Sequence, residues 1–362
     1  MTQQTHDHPL QTPEMINEVT KAIDDASEEL RALNLEIFNN PEACKLLSEW
    51  LENRRWSVHC GVYGIKTTFK ARFSVKEGGR TVYFNAKYDT LSTISHTCSH
   101  NLITTSALFS AISLKSILKA YSIPGILGFD SCVIIHRMLD FSIPVCYIKA
   151  SLKLHAKFRG IILLRQYIQK SESIQRCILK VGKIANIIPD YAEGLFSVRA
   201  ITVKGVEKLR ERMERVFQGV AEATGCKVEL EWFALYEDVV TNDTLAEQYR
   251  QYMLQYLGLQ PEQMVLMKEA RMVHDSLGSS DFGSCSYICP GIQAMFNIKA
   301  SDLPHLIGFR EAAQGDIAHE KALRAGKANT LIFLDMLTND AFTTRMKDEF
   351  RAAMKEAGRL SE

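Results

Sequence analysis

The sequence predicts an α/β protein in which a second domain, of α+β type, interrupts the first. Helices and strands alternate over residues 12–136, several strands and two helices follow over 141–236, and long helices return after 237. This change in the order of helices and strands indicates an inserted domain. We therefore expect a mixed sheet with helices on both faces in residues 1–140 and 237–362, and an α+β sandwich in residues 141–236.

The elements of the first part are assigned from periodicity. Apolar residues three and four apart predict helices, and alternation or short apolar runs bounded by Gly and Pro predict strands. In order, these are helices over 12–35 and 44–56, a strand pair over 57–75, a strand over 81–89, a helix over 102–120 and a buried strand that ends at His136.

The same criteria assign the remaining elements. The insert is predicted to contain strands over 144–154, 177–186, 193–201 and 227–235 and helices over 160–169 and 203–224. The last part is predicted to contain a helix over 244–258, a Gly- and Ser-rich loop over 276–284, a short strand over 292–298 and a final helix over 316–337.

Composition narrows the functional classes. The 362 residues are 46% hydrophobic and 23% charged with a net charge of +1, which gives no reason to expect a nucleic acid or an anionic membrane as partner. The polar residues 1–15 predict no secretory signal, and Lys115, Lys119 and Asp130 interrupt the most apolar region. Nine cysteines without regular spacing favour thiols in a reducing, cytoplasmic setting.

Residues 89–100 concentrate the side chains that bind metals. Asp89, His96, Cys98 and His100 follow a predicted strand, and open α/β sheets bind ligands in loops at the carboxyl ends of strands. In an extended loop, Cys98 and His100 point to the same side and could reach one ion. Spacing alone leaves two interpretations open, a metal site and a solvated polar loop.

The stretch "KYDTLSTISHTCSHN" resembles a loop of the M20 family of zinc-dependent metallopeptidases and amidohydrolases, in its aminoacylase and carboxypeptidase type and amidohydrolase-like dipeptidase subgroup. Further blocks resemble the family in the same order along nearly the whole chain. They include "AIDDASEELRALNLEIFNNPE", "GGRTVYFNAKYD", "ANIIPDYAE", "GSSDFGSCSYICPGI" and "HLIGFREAAQGDIAHEKALRAGKA".

The resemblance implies an organisation and an activity. It implies a catalytic domain made of two halves, residues 1–140 and 237–362, of which the first is truncated. It also implies that residues 141–236 form a lid or dimerisation domain, through which two chains make a homodimer. It further implies two divalent metal ions, zinc with cobalt or manganese as alternatives. The implied reaction is hydrolysis of an amide bond in a small N-acyl amino acid or dipeptide by metal-activated water.

The resemblance also implies roles for individual residues. The metal ligands are Cys98, His100, His136 and His305, and Asp89 orients the site from nearby. His155 matches a lid histidine that polarises the scissile carbonyl in the partner subunit's site. The substrate-binding residues implied by the resemblance are Asn186, Arg199, Ser280 and Asp281.

The chain departs from the family where catalysis is concerned. The family has a pair of glutamates, one a base and one a ligand, whereas this chain has no Glu from Gly78 to Ser171. Asp130 is not expected to replace them, because it precedes the strand of His136 at an ordinary position. The missing segment includes a core strand, so the chain is expected to have at most a partial metal site and unpaired backbone in its sheet.

The loop itself has also lost glycines. Ser95 and Ser99 stand where the family has Gly, and a serine with a positive φ costs backbone strain.

Three interpretations follow. The first is a metal-dependent amidohydrolase or dipeptidase. The second is a catalytically dead relative that acts as a binding or dimerisation module. The third is a mis-spliced chain that has lost internal pieces of an active enzyme. The sequence leaves the three open.

Overall fold

A computed structural model describes residues 11–40, 43–89, 96, 98–131, 145–151, 155–180, 191–264, 266 and 280–359. The chain divides into two compact units. Unit 1 comprises Met1–Met138, Thr241–Glu269 and Pro290–Glu362, and unit 2 comprises Leu139–Val240 and Ala270–Cys289. The domain boundaries expected at residues 140 and 236 stay predictions.

Unit 1 combines a small sheet with long helices. Its strands are β1 (Ser57–Cys60), β2 (Phe69–Val75), β3 (Arg80–Ala86) and β4 (Gly125–Ser131). Its helices are α1 (Pro13–Asp25), α2 (Ser27–Asn39), α3 (Ala43–Glu52), α4 (His100–Ala120), α7 (Asp243–Gln255), α9 (Ile307–Ala312), α10 (Asp316–Thr338) and α11 (Asp340–Glu356). Short 3-10 helices lie at Val62–Gly64 and Pro261–Gln263.

The first helix differs from its prediction because it is two helices. Thr12 caps α1 by accepting a hydrogen bond from Met15 N at 3.3 Å, and Pro13 begins the helix with its preset φ. The break falls at Ala26, where φ is −92° and ψ is −1°. The apolar spacing continues across this residue, so periodicity could not show the break.

The sheet of unit 1 has the strand order β1-β2-β4-β3 and is mixed. Strand β4 pairs antiparallel with β2, where Ala71 faces Phe129, and parallel with β3, where Asn85 faces Asp130. The Phe129 ring stacks on Phe69 with centroids 6.0 Å apart. The α/β class with a mixed sheet is thus confirmed.

Strand β4 corrects an expectation about the sheet. Loss of a core strand was expected to leave a gap with unpaired backbone, but β4 lies between β2 and β3 and pairs with both along its whole length. Within the described sheet, the expected unpaired backbone is therefore not found along β4. Residues 132–140, which include His136, lie outside the described part of the chain.

Helix α4 is the central helix of unit 1. It is long and apolar enough to cross a membrane by length and composition, but its apolar stretch is mostly buried inside the protein. It packs closely on α10, where Ser110 Oγ donates to Gly326 O at 2.9 Å. A helix that is buried in the core of unit 1 accounts for this composition.

Unit 2 contains a second four-stranded sheet with two helices. Its strands are β5 (Val145–Ser151), β6 (Ser173–Lys180), β7 (Glu193–Arg199) and β8 (Glu229–Tyr236), in the antiparallel order β6-β7-β5-β8. Its helices are α5 (His155–Leu164), α6 (Val203–Ala223) and α8 (Phe282–Ser286), with a 3-10 helix at Arg165–Tyr167. The core includes Phe196, Leu209, Met213 and Phe217.

Two assignments in the last part are corrected. Residues 292–298 form no strand, although their apolar residues alternate. Helix α11 follows α10 directly and was not predicted. Asn339 begins it by accepting a hydrogen bond from Phe342 N at 2.9 Å, and the polar face of α11 obscured its apolar spacing.

Candidate metal centre

The candidate site begins where β3 ends. Thr104 of α4 donates a hydrogen bond to Lys87 O, which ties the continuation of the strand to the helix. The Tyr88 hydroxyl donates to Thr67 O at 2.7 Å, and its ring stacks on Phe69 with centroids 6.0 Å apart. The chain therefore leaves the sheet in a fixed direction before it reaches Asp89.

Asp89 and His100 form a buried pair. His100 Nδ1 lies 2.9 Å from Asp89 Oδ1 and 3.1 Å from Asp89 O, and both side chains are less than one-tenth exposed. Both partners are acceptors, so Nδ1 carries the proton and donates. This arrangement leaves Nε2 as the nitrogen that can coordinate an ion, which is how carboxylates orient metal-binding histidines.

Backbone strain is present beside this pair. Ser99 begins α4 with φ 56° and ψ 32°, in the left-handed region that favours glycine. The hydroxyl of Ser99 is buried and has no hydrogen-bond partner among the described residues. The prediction of a strained serine at this position is confirmed, whereas Ser95 lies outside the described part of the chain.

His96 has a structural role. Its Nε2 lies 3.0 Å from Ile37 O, so this nitrogen donates, and its ring stacks on Phe38 with centroids 5.8 Å apart. Burial lowers the pKa of His96 to about 4, so the ring is neutral at physiological pH. His96 thus fastens the loop to the end of α2.

A buried amide network was not found from the sequence. Asn101 Nδ2 donates to Asn34 Oδ1 at 2.9 Å and to Ala313 O at 3.2 Å, and Thr105 Oγ1 also donates to Asn34 at 3.1 Å. The network joins α2, α4 and the end of α9. The sequence did not indicate this contact, because the two asparagines lie on separate predicted helices and periodicity does not show which helices pack together.

The remaining predicted residues are placed as follows. His305 is half-buried and has φ 75°, Arg199 is buried at the end of β7, Ser280 is buried, and Asp281 precedes α8. Arg199 Nε donates to Ser197 Oγ at 3.3 Å, and Phe282 N donates to Ser280 Oγ at 3.3 Å. His155 begins α5, but its side chain, like His136 and Asn186, lies outside the described part.

The described donors fit one part of a metal centre and not a two-metal centre. Among the described residues, no three His, Cys, Asp or Glu side chains come together as ligands for one ion. A structural zinc site takes four ligands and a catalytic site three. His100, supported by Asp89, is the donor whose orientation suits an ion, and the described residues supply no complete ligand set around it.

Asp130 does not complete the site. Its partner in the parallel ladder is Asn85, and Asp89 lies four residues beyond Asn85. Four extended residues span about 13 Å, which separates Asp130 from the Asp89–His100 pair along the strand. Burial raises the pKa of Asp130, and its antiparallel partner Lys70 opposes that shift.

The fold is that of the M20 peptidases. A dinuclear metal-binding peptidase of the M20 family from Bacillus subtilis superposes with a TM-score of 0.60 over 85% of this chain and 99% of that chain, at 16% identity. A tripeptidase from Staphylococcus aureus superposes with a TM-score of 0.53 over 85% of this chain and 98% of that chain, at 12% identity.

The sequence is similar to those of dipeptidases. It is 26% identical to the Xaa-Arg dipeptidase of Mus musculus, over 92% of this chain and 91% of that protein. It is 25% identical to the Xaa-Arg dipeptidase of Homo sapiens, over 93% and 92%. No protein-family model matches the chain. The resemblance to the M20 peptidases and amidohydrolases that the motifs indicate is therefore confirmed.

Proposed function

We propose that this chain hydrolyses the amide bond of a dipeptide or N-acyl amino acid in a metal-dependent reaction. The buried Asp89–His100 pair carries the proposal, since it holds a metal-type histidine at the carboxyl edge of the sheet. The similarity to Xaa-Arg dipeptidases over nearly the whole chain makes dipeptides that end in arginine the substrates of choice for a test.

The proposal assigns the other ligands from the resemblance. Cys98, His136 and His305 complete the set around His100, and a divalent ion bound there, zinc with cobalt or manganese as alternatives, would activate the water that attacks the amide bond. Arg199, Asn186, Ser280 and Asp281 are the proposed substrate contacts. His155 is the proposed donor to the carbonyl oxygen. We further propose a cytoplasmic location, because a thiolate ligand has to stay reduced.

Hydrolysis of Xaa-Arg dipeptides by the purified chain with added zinc tests the proposal. Cys98→Ala is expected to abolish turnover, whereas Cys60→Ala changes an exposed thiol on β1 and is expected to have no effect. Undiminished turnover in Cys98→Ala would exclude the proposed ligand set.

A second candidate is a binding module without catalysis. It is favoured by the absence of Glu from Gly78 to Ser171, which leaves no glutamate to serve as base in the loop region. If the chain is such a binding module, the wild-type chain with zinc is expected to bind Arg-containing dipeptides but to release no free arginine. A mis-spliced chain predicts the same result, together with a longer transcript that encodes the missing glutamates.

We also propose that the chain forms a homodimer through unit 2. Strand β6 is an edge of the sheet, and Ile178 and Leu179 near its end are about half exposed. An edge strand with exposed apolar residues is suited to pairing with a second copy. Ile178→Lys is expected to shift the mass in solution from dimer to monomer, and an unchanged mass would argue against this edge.

A further inference from the structure

A group of cations lies at the end of α4 that is remote from His100. Arg55, Lys115 and Lys119 form what we call the cationic cluster. Lys115 Nζ donates to Arg54 O, next to Arg55 at the end of α3, and Lys119 lies one turn further along α4. Lys115 Nζ lies 4.1 Å from the centre of the Phe73 ring, and Lys119 Nζ lies 5.2 Å from the same centre. Fifteen residues of helix separate His100 from Lys115, which is about 22 Å.

The cluster carries charge that no described carboxylate neutralises. Arg54, beside it, is paired with Glu29 and lies over the Trp50 ring at 3.7 Å. Among the described residues, Arg55, Lys115 and Lys119 form no ion pair. Like charges at positions i and i+4 of a helix destabilise it, and Lys115 and Lys119 are such a pair.

The backbone of Arg55 is strained. Arg55 has φ 61°, in the left-handed region, and it follows α3 at the position where helices usually have glycine. Trp56 N donates to Leu51 O at 3.1 Å, which is the backbone bond of that type of helix end. A glycine would form this turn without strain, so the arginine side chain is retained at a cost.

The pKa of Lys115 is lowered by its burial and by the neighbouring cations. Burial, followed by the charges of Lys119, Arg55 and Arg54 in that order, lowers the pKa of Lys115 to about 8. Lys115 Nζ donates to Arg54 O, so this lysine also serves the carbonyl end of α3. That role does not account for Arg55 or Lys119, whose side chains make no hydrogen bond among the described residues.

We propose that the cationic cluster is a binding site for a small phosphate group, either inorganic phosphate or a phosphomonoester. A dianion between the three cations would remove their repulsion and accept hydrogen bonds from ammonium and guanidinium groups. The partly exposed ring of Phe73, on which both lysines lie, gives a phosphomonoester an apolar wall. The site is independent of the proposed hydrolase activity.

Calorimetric titration of the full chain at constant ionic strength tests the site. Inorganic phosphate is expected to bind with a dissociation constant of about 1 mM or tighter. Phenyl phosphate is the second ligand, since tighter binding of phenyl phosphate identifies a monoester site and equal binding identifies an inorganic phosphate site.

Three variants decide between a site and general surface charge. Lys119→Gln and Arg55→Gly are each expected to weaken binding about tenfold. Arg55→Gly also removes the strained backbone, so it is expected to unfold at the same or a higher temperature, and its loss of binding cannot come from misfolding. Arg72→Gln, on the opposite face of β2, is the matched control and is expected to bind as the wild type does. Absence of binding, or equal binding by all variants, would overturn the proposal.

Discussion

At the residue scale, the two histidines of the loop over residues 89–100 have different structural roles. His96 and His100 lie four positions apart and look equivalent in the sequence, yet His96 bonds to Ile37 O and His100 to Asp89. The spacing indicated either a metal site or a polar loop, and the resemblance indicated strain at Ser99. The spacing could not distinguish the two histidines, because their partners lie 59 and 11 residues away and belong to different elements.

The strain at Ser99 leads to a prediction. Ser99→Gly is expected to stabilise the protein by about 1 kcal/mol, because glycine adopts φ 56° without a steric cost. Urea denaturation measures the change in the free energy of unfolding. Ser106→Gly is the matched control, since it lies inside α4 and is expected to destabilise by about 0.5–1 kcal/mol. Destabilisation by both substitutions would show that Ser99 is not strained.

At the element scale, the sheet of unit 1 is the main correction. The residues "GILGFDS" were predicted to be a strand, and β4 confirms it. Its place between β2 and β3 could not be predicted, because strand order depends on contacts with residues 45 to 62 positions away. The family pattern suggested unpaired backbone in the sheet, but an apolar strand with the correct length and flanking turns can pair on both sides.

The junction of β3 and β4 gives the second prediction. Gly78 and Gly79 both have positive φ, 79° and 84°, but only Gly79 lies against the Pro124 carbonyl, where a Cβ atom would overlap backbone. Gly79→Ala is therefore expected to destabilise the protein by about 2 kcal/mol or more, and Gly78→Ala by about 1 kcal/mol. Thermal and urea denaturation compare the two. Equal effects would contradict the placement of β4 beside β3.

A buried carboxyl group that joins three elements gives the third prediction. Asp335 of α10 accepts hydrogen bonds from Gln11 Nε2 at 2.8 Å and from the Tyr252 hydroxyl at 2.8 Å. Burial raises the pKa of Asp335 to about 7, against the lowering effect of both donors. The stability that this group contributes is therefore complete below its unfolded pKa and is lost as the pH rises through about 7.

Asp335→Asn tests this dependence, because an amide does not ionise. The fall in the free energy of unfolding between about pH 5 and about pH 8 is expected to be smaller in the variant than in the wild type. Asp348→Asn is the control, since that carboxylate is exposed and pairs with Arg351 on the surface. An unchanged fall in Asp335→Asn would show that Asp335 is ionised throughout this range.

At the scale of the whole molecule, the resemblance predicted more than periodicity did. Periodicity gave most helices and strands of both units, but it missed α11 and the break at Ala26, and it predicted a strand over 292–298 that is absent. The ordered motif blocks gave the fold, which the B. subtilis peptidase confirms. The ligand set does not follow from the blocks in the same way, because the proposed ligands are as far apart in the chain as Cys98 and His305.

We propose that this chain, whose fold is that of the M20 peptidases, uses His100, oriented by Asp89, as a metal ligand and binds one ion. Zinc per chain, counted by native mass spectrometry of the folded protein, tests it most directly. His59→Gln, an exposed histidine on β1, is the control for His100→Gln. The account predicts one zinc in the wild type and in His59→Gln and none in His100→Gln. Two zinc ions in the wild type, or one retained in His100→Gln, would contradict it.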